Sequence, residues 1–124
     1  MDYYANGKLQ ILFGSGSSIY LIDRLGHYVN GFPVDLGKPI LLGPDVYDFN
    51  GANAYNIMVL HKDNTIEMYN LKGSRPSVWK TIAAPETVKA LPERIIVGGN
   101  TFWVVRTSIQ TLIYPFGGGN ALTS

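Results

Sequence analysis

The chain has 124 residues, a formal net charge of +1 and no cysteine. This length predicts a single domain, and a content of 46% hydrophobic and 15% charged residues is typical of globular rather than disordered proteins. A net charge so close to zero disfavours nucleic acid as a partner. The absence of cysteine excludes disulfides and thiolate metal sites.

The two ends of the sequence bear on targeting and on membrane insertion. Met1-Asp2-Tyr3-Tyr4 has neither the basic region nor the apolar stretch of a signal peptide. The longest uncharged stretch, residues 107–124, is interrupted by Pro115 and by three glycines. Because a membrane-spanning helix needs about 20 predominantly apolar residues, the sequence predicts no membrane span.

Strand signals follow one another along the chain: short β-branched and aromatic runs, each closed by Gly, Asn, Asp or Ser. They predict strands at residues 2–5, 9–13, 18–23, 28–34, 46–49, 57–60, 65–70, 77–82, 94–97, 101–106 and 111–114. Helical periodicity is weak, although Pro85-Glu86 suits the first turn of a helix and indicates a helical turn within 83–91. The sequence therefore predicts an all-β fold.

One pattern occurs three times without a gap, at residues 11–26, 58–73 and 103–118. It consists of an apolar strand, a short polar turn, a second strand and a glycine, so each copy predicts a hairpin. The first strand is apolar on both faces, which predicts that neighbouring sheets cover it from both sides. The shared Gly26, Gly73 and Gly118 predict a turn that needs positive φ.

The pattern extends into units of four short strands, each roughly 45 residues long, which is the size of one β-propeller blade. The units correspond to residues 1–36, 37–82 and 83–124. The predicted fold is therefore a set of repeated four-stranded antiparallel sheets, a partial β-propeller of about two and a half to three blades. The alternative is a β-sandwich or barrel whose hairpins are alike by chance.

A family resemblance supports the first of these folds. The segment IYLIDRLGHYVNGFPVDL, residues 19–36, resembles blades of bacterial propellers of the quinoprotein-like and FG-GAP-like kind. The resemblance implies a piece of a longer propeller and an extracytoplasmic location in the periplasm, the envelope or outside the cell. It carries no catalytic residue across. The calcium loop D-x-D-x-D-G is absent, since Lys62-Asp63-Asn64-Thr65 has one carboxylate, and the Gly-His and Trp-Asp signatures of WD repeats are absent too.

Residue types that carry chemistry are few. His27 and His61 have no H-x-x-x-H partner, so we expect hydrogen-bonded or solvent-facing turn histidines rather than metal ligands. Gly14-Ser15-Gly16 precedes a strand and no GK[ST] follows it, which predicts a hairpin turn and not a phosphate loop. We expect most acidic residues at turns or on exposed strand surfaces. The sequence thus predicts no catalytic residue, no metal site, no cofactor and no enzymatic activity.

Four aromatic residues, Phe32, Trp79, Phe102 and Trp103, could form either a sugar-binding platform or contacts between sheets. Phe32 and Trp79 occupy the same position in successive units, which favours the packing role. A carbohydrate-binding module of a secreted or envelope protein is therefore the alternative function.

The sequence favours a non-catalytic scaffold or protein-interaction module that belongs to a larger β-propeller. We expect binding at turns that occupy equivalent points of the units and meet at one end of the ring. An open arc would leave two apolar sheet faces bare, so the expected partner is a protein or the rest of the propeller. Expressed alone, the chain is expected to form a homo-oligomer. The candidate binding residues are Ser15, Ser17, Lys62, Asp63, Asn64, Thr107 and Ser108.

Overall fold

The computed structural model describes residues 10–48 and 55–122. Within them the secondary structure is entirely β, with ten strands and no helix. The strands are β1 (Gln10–Ser15), β2 (Ser18–Asp23), β3 (Val34–Asp35), β4 (Ile40–Tyr47), β5 (Asn56–His61), β6 (Thr65–Asn70), β7 (Ile82–Ala83), β8 (Glu93–Val97), β9 (Asn100–Arg106) and β10 (Thr111–Pro115). The prediction of an all-β fold is confirmed.

Three antiparallel sheets follow one another along the chain. The first sheet has the strand order β1-β2-β3, the second β4-β5-β6-β7 and the third β8-β9-β10. The prediction of four strands in every unit is correct only for the second sheet among the described residues, since the other two sheets have three strands there. Each sheet is built by pairing strands that are adjacent in sequence.

The first core lies between the first and second sheets. The buried side chains of Ile57, Val59 and Tyr69 from the second sheet pack with Ile19 of the first. Leu36, in the linker between these sheets, also belongs to this cluster. Residues 57, 59 and 69 share one face of the second sheet, because side chains alternate along a strand and Ile57 is paired with Tyr69.

The second core lies on the opposite face of the second sheet, against the third sheet. Its centre is formed by Met58, Leu60, Ile66 and Met68 of the second sheet together with Trp103 of the third. All five side chains are at most 1% exposed. The middle sheet is therefore covered on both faces, which is the environment that the two-sided apolar character of residues 57–60 predicts.

The same kind of turn follows the second strand of the first two hairpins. Asp23 Oδ1 accepts hydrogen bonds from the backbone N–H groups of Leu25 and His27, at 2.9 and 3.0 Å. Asn70 Oδ1 accepts from the N–H groups of Lys72 and Ser74, at 2.9 and 3.1 Å. An Asp or Asn side chain that bonds to backbone groups further along the chain stabilises this kind of turn.

The glycine that follows each of the three hairpins has positive φ, as predicted. The φ angles of Gly26, Gly73 and Gly118 are 82°, 86° and 75°. The N–H of each glycine donates to the carbonyl three residues earlier, on Asp23, Asn70 and Pro115, respectively. At the same end of the third sheet as Gly118, Gly98-Gly99 forms the two-residue turn between β8 and β9, with φ angles of 58° and 82°.

The cross-strand registers differ between the hairpins. Ile11 pairs with Ile22 and Trp103 pairs with Tyr114, so the first and third copies of the pattern have the same register. In the middle copy Ile57, one residue before the pattern begins, pairs with Tyr69. The gapless alignment is therefore displaced by one residue in the first strand of the middle hairpin.

Several predicted elements differ from the observed ones. The predicted strands 28–34 and 77–82 are reduced to the short strands β3 and β7, and residues 40–45 are an additional part of β4. The helical turn predicted within 83–91 is wrong: Val88 forms an isolated bridge with Thr107 instead. The predicted strand at 2–5 and the end of the one at 46–49 lie outside the described residues.

Candidate interaction edge and outer faces

Three hairpin turns lie along one edge of the sheets, and we call them together the turn edge. They are residues 16–17 between β1 and β2, residues 62–64 between β5 and β6, and residues 107–110 between β9 and β10. The linkers that connect successive sheets, residues 36–39 and 84–92, run past these turns and are hydrogen bonded to them. The seven candidate binding residues lie in or beside this edge.

The first turn is joined to the first linker through the backbone. The Gly16 carbonyl accepts from the N–H of Ile40 at 2.7 Å, and the Ser17 carbonyl accepts from the N–H of Leu36 at 2.8 Å. Ser15 is exposed and Ser17 is half-buried. The segment predicted to be a hairpin turn and not a phosphate loop is indeed a hairpin turn.

The second turn is joined to the same linker through an ion pair. Asp63 accepts a hydrogen bond from Lys38 Nζ at 3.2 Å, and its other carboxylate oxygen accepts from the backbone N–H and the hydroxyl of Thr65. The Thr65 hydroxyl is the main reason why the pKa of Asp63 lies below its usual value. The exposed Lys62 donates its backbone N–H to the Pro39 carbonyl at 3.0 Å.

Asn64 joins the second turn to the second linker. Its Nδ2 donates to the Glu86 carbonyl at 2.8 Å, and its Oδ1 accepts from the N–H of Val88 at 2.9 Å. Its φ is 68°, a left-handed conformation that asparagine tolerates better than most residues. The amide of Asn64 thus supports the linker and is not directed at a ligand.

Thr107 has the corresponding role in the third turn. It is 8% exposed, its hydroxyl donates to Glu86 Oε1 at 2.8 Å, and it accepts from the N–H of Gln110 at 3.1 Å. Gln110 Nε2 reaches both carboxylate oxygens of Glu86, at 2.9 and 3.1 Å. Ser108 donates its N–H to the Thr87 carbonyl, and its side chain is exposed.

The structure therefore brings the candidate residues to one edge and divides them into two groups. Asp63, Asn64 and Thr107 use their side chains to hold the linkers. Ser15, Ser17, Lys62 and Ser108 leave theirs at or near the surface. The sequence also places Ile109 in the third candidate turn, and this side chain is 76% exposed at the tip of the turn.

A buried carboxylate lies on the face of the second sheet that packs against the first. Glu67 is 4% exposed and accepts hydrogen bonds from Trp79 Nε1 at 3.0 Å, Thr81 Oγ1 at 2.8 Å and Arg75 at 3.2 Å. The expectation that acidic residues occupy exposed positions does not apply to Glu67. The three donors satisfy the hydrogen-bonding needs of this buried group.

His61 lies in β5, next to the strand that carries Glu67, and is fully buried. Its Nδ1 lies 3.0 Å from the Pro39 carbonyl, and its Nε2 lies 2.8 Å from the Tyr69 hydroxyl. A carbonyl can only accept, so Nδ1 carries a hydrogen and donates it to Pro39. In the tautomer with its single hydrogen on Nδ1, Nε2 accepts from the Tyr69 hydroxyl. Burial is the main reason why the pKa of Tyr69 rises to about 12. His61 is thus a hydrogen-bonded core histidine, whereas His27 is exposed.

Three of the four aromatic residues weighed as a sugar platform belong to the packing between sheets. Trp79 is 6% exposed and Trp103 is fully buried, and both lie in the core between the second and third sheets. Phe32 packs against the core between the first and second sheets, so it and Trp79 occupy successive interfaces. Phe102, which is partly exposed, lies on the outer side of the third sheet. This supports the packing role.

The outer face of the first sheet is apolar and aromatic, and we call it the first face. It comprises Ile11, Phe13, Tyr20, Ile22 and Tyr28. The Phe13 and Tyr20 rings stack with centroids 5.1 Å apart, and Tyr28 lies 5.8 Å from Tyr20. Ile11, Phe13 and Tyr28 are 57%, 39% and 61% exposed, which leaves much of this face uncovered.

The outer face of the third sheet, the second face, comprises Ile95, Phe102, Val104 and Ile113. Cross-strand pairing aligns Ile95 with Phe102 and Val104 with Ile113 on this side of the sheet. Ile113 is 42% exposed, and the other three are partly exposed. The two faces lie at opposite ends of the series of sheets.

Comparison with known proteins does not assign the chain to a family. No family model, no curated protein and no solved structure matches the chain. Among the described residues, no three His, Asp or Glu side chains come together as a possible metal site. Over the same residues, no helix has the length and apolar character needed to cross a bilayer.

Proposed function

We propose that the chain is a non-catalytic scaffold and protein-interaction module whose three sheets form an arc of a β-propeller, about two and a half to three blades. The observation that carries this proposal is the second sheet, which has one core on each face and a neighbour in chain order on each side. Radial packing of sheets in a propeller has this form, whereas a two-layer sandwich covers each sheet on one face only.

The repeated turn chemistry also supports an arc of like units. Asp23 and Asn70 make the same pair of hydrogen bonds at the same point of successive hairpins. Gly26, Gly73 and Gly118 adopt similar positive φ angles one turn later. Recurrence of both features at equivalent points of successive hairpins is what repeated units of one kind would produce.

The turn edge is the proposed binding surface for a protein partner. Its backbone is fixed by the linkers, so exposed side chains such as Lys62, Ser108 and Ile109 are presented on a rigid support. Binding residues are commonly carried on loops that a scaffold positions in this way. The carbohydrate-binding alternative depends on an exposed tryptophan, and both tryptophans are buried, so we favour a protein partner.

Lys62→Glu combined with Ile109→Glu tests this surface. We expect the double variant to lose capture of a partner from lysate of the source cells, and to lose affinity for that partner once purified. The melting temperature should stay close to that of the unchanged protein, because both side chains are exposed.

The matched control is Lys72→Glu, an exposed lysine in the turn at the opposite edge. Equal loss of capture by the control would contradict a site at the turn edge. Saturable binding to a glycan array would favour the carbohydrate alternative instead.

A further inference from the structure

The two outer faces are opposite halves of the contact that joins successive sheets. The hairpin of the second sheet has one face directed at the preceding sheet and one at the following sheet. Asp23, Asn70 and Pro115 mark the same point in the three hairpins, because the carbonyl of each accepts from the glycine that ends the turn. Cross-strand pairs counted back from these residues can therefore be compared between sheets.

The pair next to the marker residue faces the preceding sheet. In the second hairpin it is Ile57–Tyr69, in the core against the first sheet, and in the third it is Trp103–Tyr114, in the core against the second. In the first hairpin the corresponding pair is Ile11–Ile22. The first face is thus the contact surface for a preceding sheet.

The pair two residues before the marker faces the following sheet. In the first hairpin it is Leu12–Leu21, on the side of the second sheet, and in the second hairpin it is Met58–Met68, against the third. In the third hairpin the corresponding pair is Val104–Ile113, which lies on the second face. The second face is thus the contact surface for a following sheet.

We propose that a second copy of this chain covers both faces, with the first face of one copy packed on the second face of the other. This inference rests on the proposed propeller arc. Head-to-tail contacts form a ring when the rotation closes. A propeller ring holds about four to eight blades, so one copy is too few, three copies are too many, and two copies give a ring of six sheets.

The chemistry of the faces fits burial against each other. The side chains that define the first face are uncharged, and the charges on the second face are paired: Glu93, which pairs with Val104 across the strands, forms an ion pair with Arg106. The first face offers the stacked rings of Phe13 and Tyr20, and the second offers aliphatic side chains and Phe102. Aromatic residues are enriched at protein interfaces.

Light scattering coupled to size exclusion tests the proposal on the unchanged chain and on one variant for each face. We expect the unchanged protein to have twice the monomer mass of 13.6 kDa at micromolar concentration. Phe13→Glu on the first face and Ile113→Glu on the second should each be monomeric, because every contact in the ring joins one face of each kind. A mixture of the two variants should regain a two-chain species, since one contact can then form from two unchanged faces.

Three outcomes would overturn the proposal. They are a monomeric unchanged protein, a second-face variant that remains a dimer while the first-face variant does not, and masses that keep growing beyond two copies. Tyr28→Lys and Val104→Lys serve as a second pair if circular dichroism shows that either glutamate variant is unfolded. Capture through the turn edge is measured separately with Lys62→Glu and Ile109→Glu, so failure of self-association is distinguishable from failure of the proposed function.

Discussion

Glu67 and Glu93 show that the contribution of a glutamate to stability depends on its surroundings. The carboxylate of Glu67 is buried and receives hydrogen bonds from Trp79, Thr81 and Arg75. Glu93 also pairs with an arginine, Arg106, at a similar distance of 3.3 Å, but its side chain is 62% exposed. Water can replace the partner of Glu93, whereas Glu67 is the acceptor for the buried Trp79 N–H.

We therefore expect Glu67→Ala and Glu93→Ala to differ in urea unfolding. Glu67→Ala should reduce the free energy of unfolding by about 1–3 kcal/mol, the cost of leaving a buried donor unsatisfied. Glu93→Ala, as the matched control, should change it by about 0–1 kcal/mol, as is usual for exposed ion pairs. Equal effects of the two substitutions would show that the network around Glu67 does not stabilise the fold.

At the scale of single residues the sequence predicts conformation better than contacts. The positive φ of Gly26, Gly73 and Gly118 could be predicted because a turn imposes it locally. The burial of Glu67 could not, because it depends on Trp79 and Arg75, which come from a later part of the chain. Residue type alone favours the surface for a glutamate.

At the scale of elements, strands with regular alternation were predicted most closely. β2 and β6 have the predicted bounds, since both alternate large side chains along their length and end at Asp23 and Asn70. The first part of β4 was missed because Gly43-Pro44 interrupts it. The strand tolerates them at the edge of the sheet, where the register with β5 shifts.

The helical turn predicted within 83–91 failed for a tertiary reason. Pro85-Glu86 suits a helix start, but Glu86 and Val88 form contacts with the second and third turns instead. Those contacts join residues about 20 positions apart in sequence, beyond the reach of a local propensity argument. The turn edge was predictable as a set of turns, but the bonding of Asn64 and Thr107 to this linker was not.

Gly118→Ala and Gly26→Ala test the importance of the glycine that ends each hairpin. Both residues have positive φ, so alanine at either position costs about 1–2 kcal/mol of backbone strain. A Cβ at Gly26 meets nothing within 4 Å, whereas a Cβ at Gly118 overlaps the Lys80 carbonyl oxygen and lies 2.9 Å from the Trp79 ring. We expect Gly118→Ala to lower the free energy of unfolding clearly more than Gly26→Ala. Equal losses in urea titration would mean that the close approach is relieved at no cost.

At the scale of the whole molecule, the second sheet differs from its neighbours because both of its faces are buried. β5 and β6 are also inner strands, so their backbone groups are paired on both sides. The first and third sheets each have one open face. Stability should therefore be distributed unevenly, with the highest local value in the middle of the series.

Hydrogen exchange on the monomeric Phe13→Glu variant tests this distribution. We expect the amides of β5 and β6 to exchange most slowly, because exposing them requires both cores to open. The amides of β1 and β10 should exchange faster, since each strand lies in a sheet with one open face. Equal protection across the three sheets would instead indicate a single cooperative unit.

The Gly98-Gly99 turn has a practical consequence. It lies at the end of β9 opposite the turn edge, and a Cβ at either glycine meets nothing within 4 Å. Exposed loop tips of this kind accept inserted segments readily. A fluorescent reporter or an epitope tag is best placed between these two glycines, where it would leave the linkers and the turns that they hold untouched.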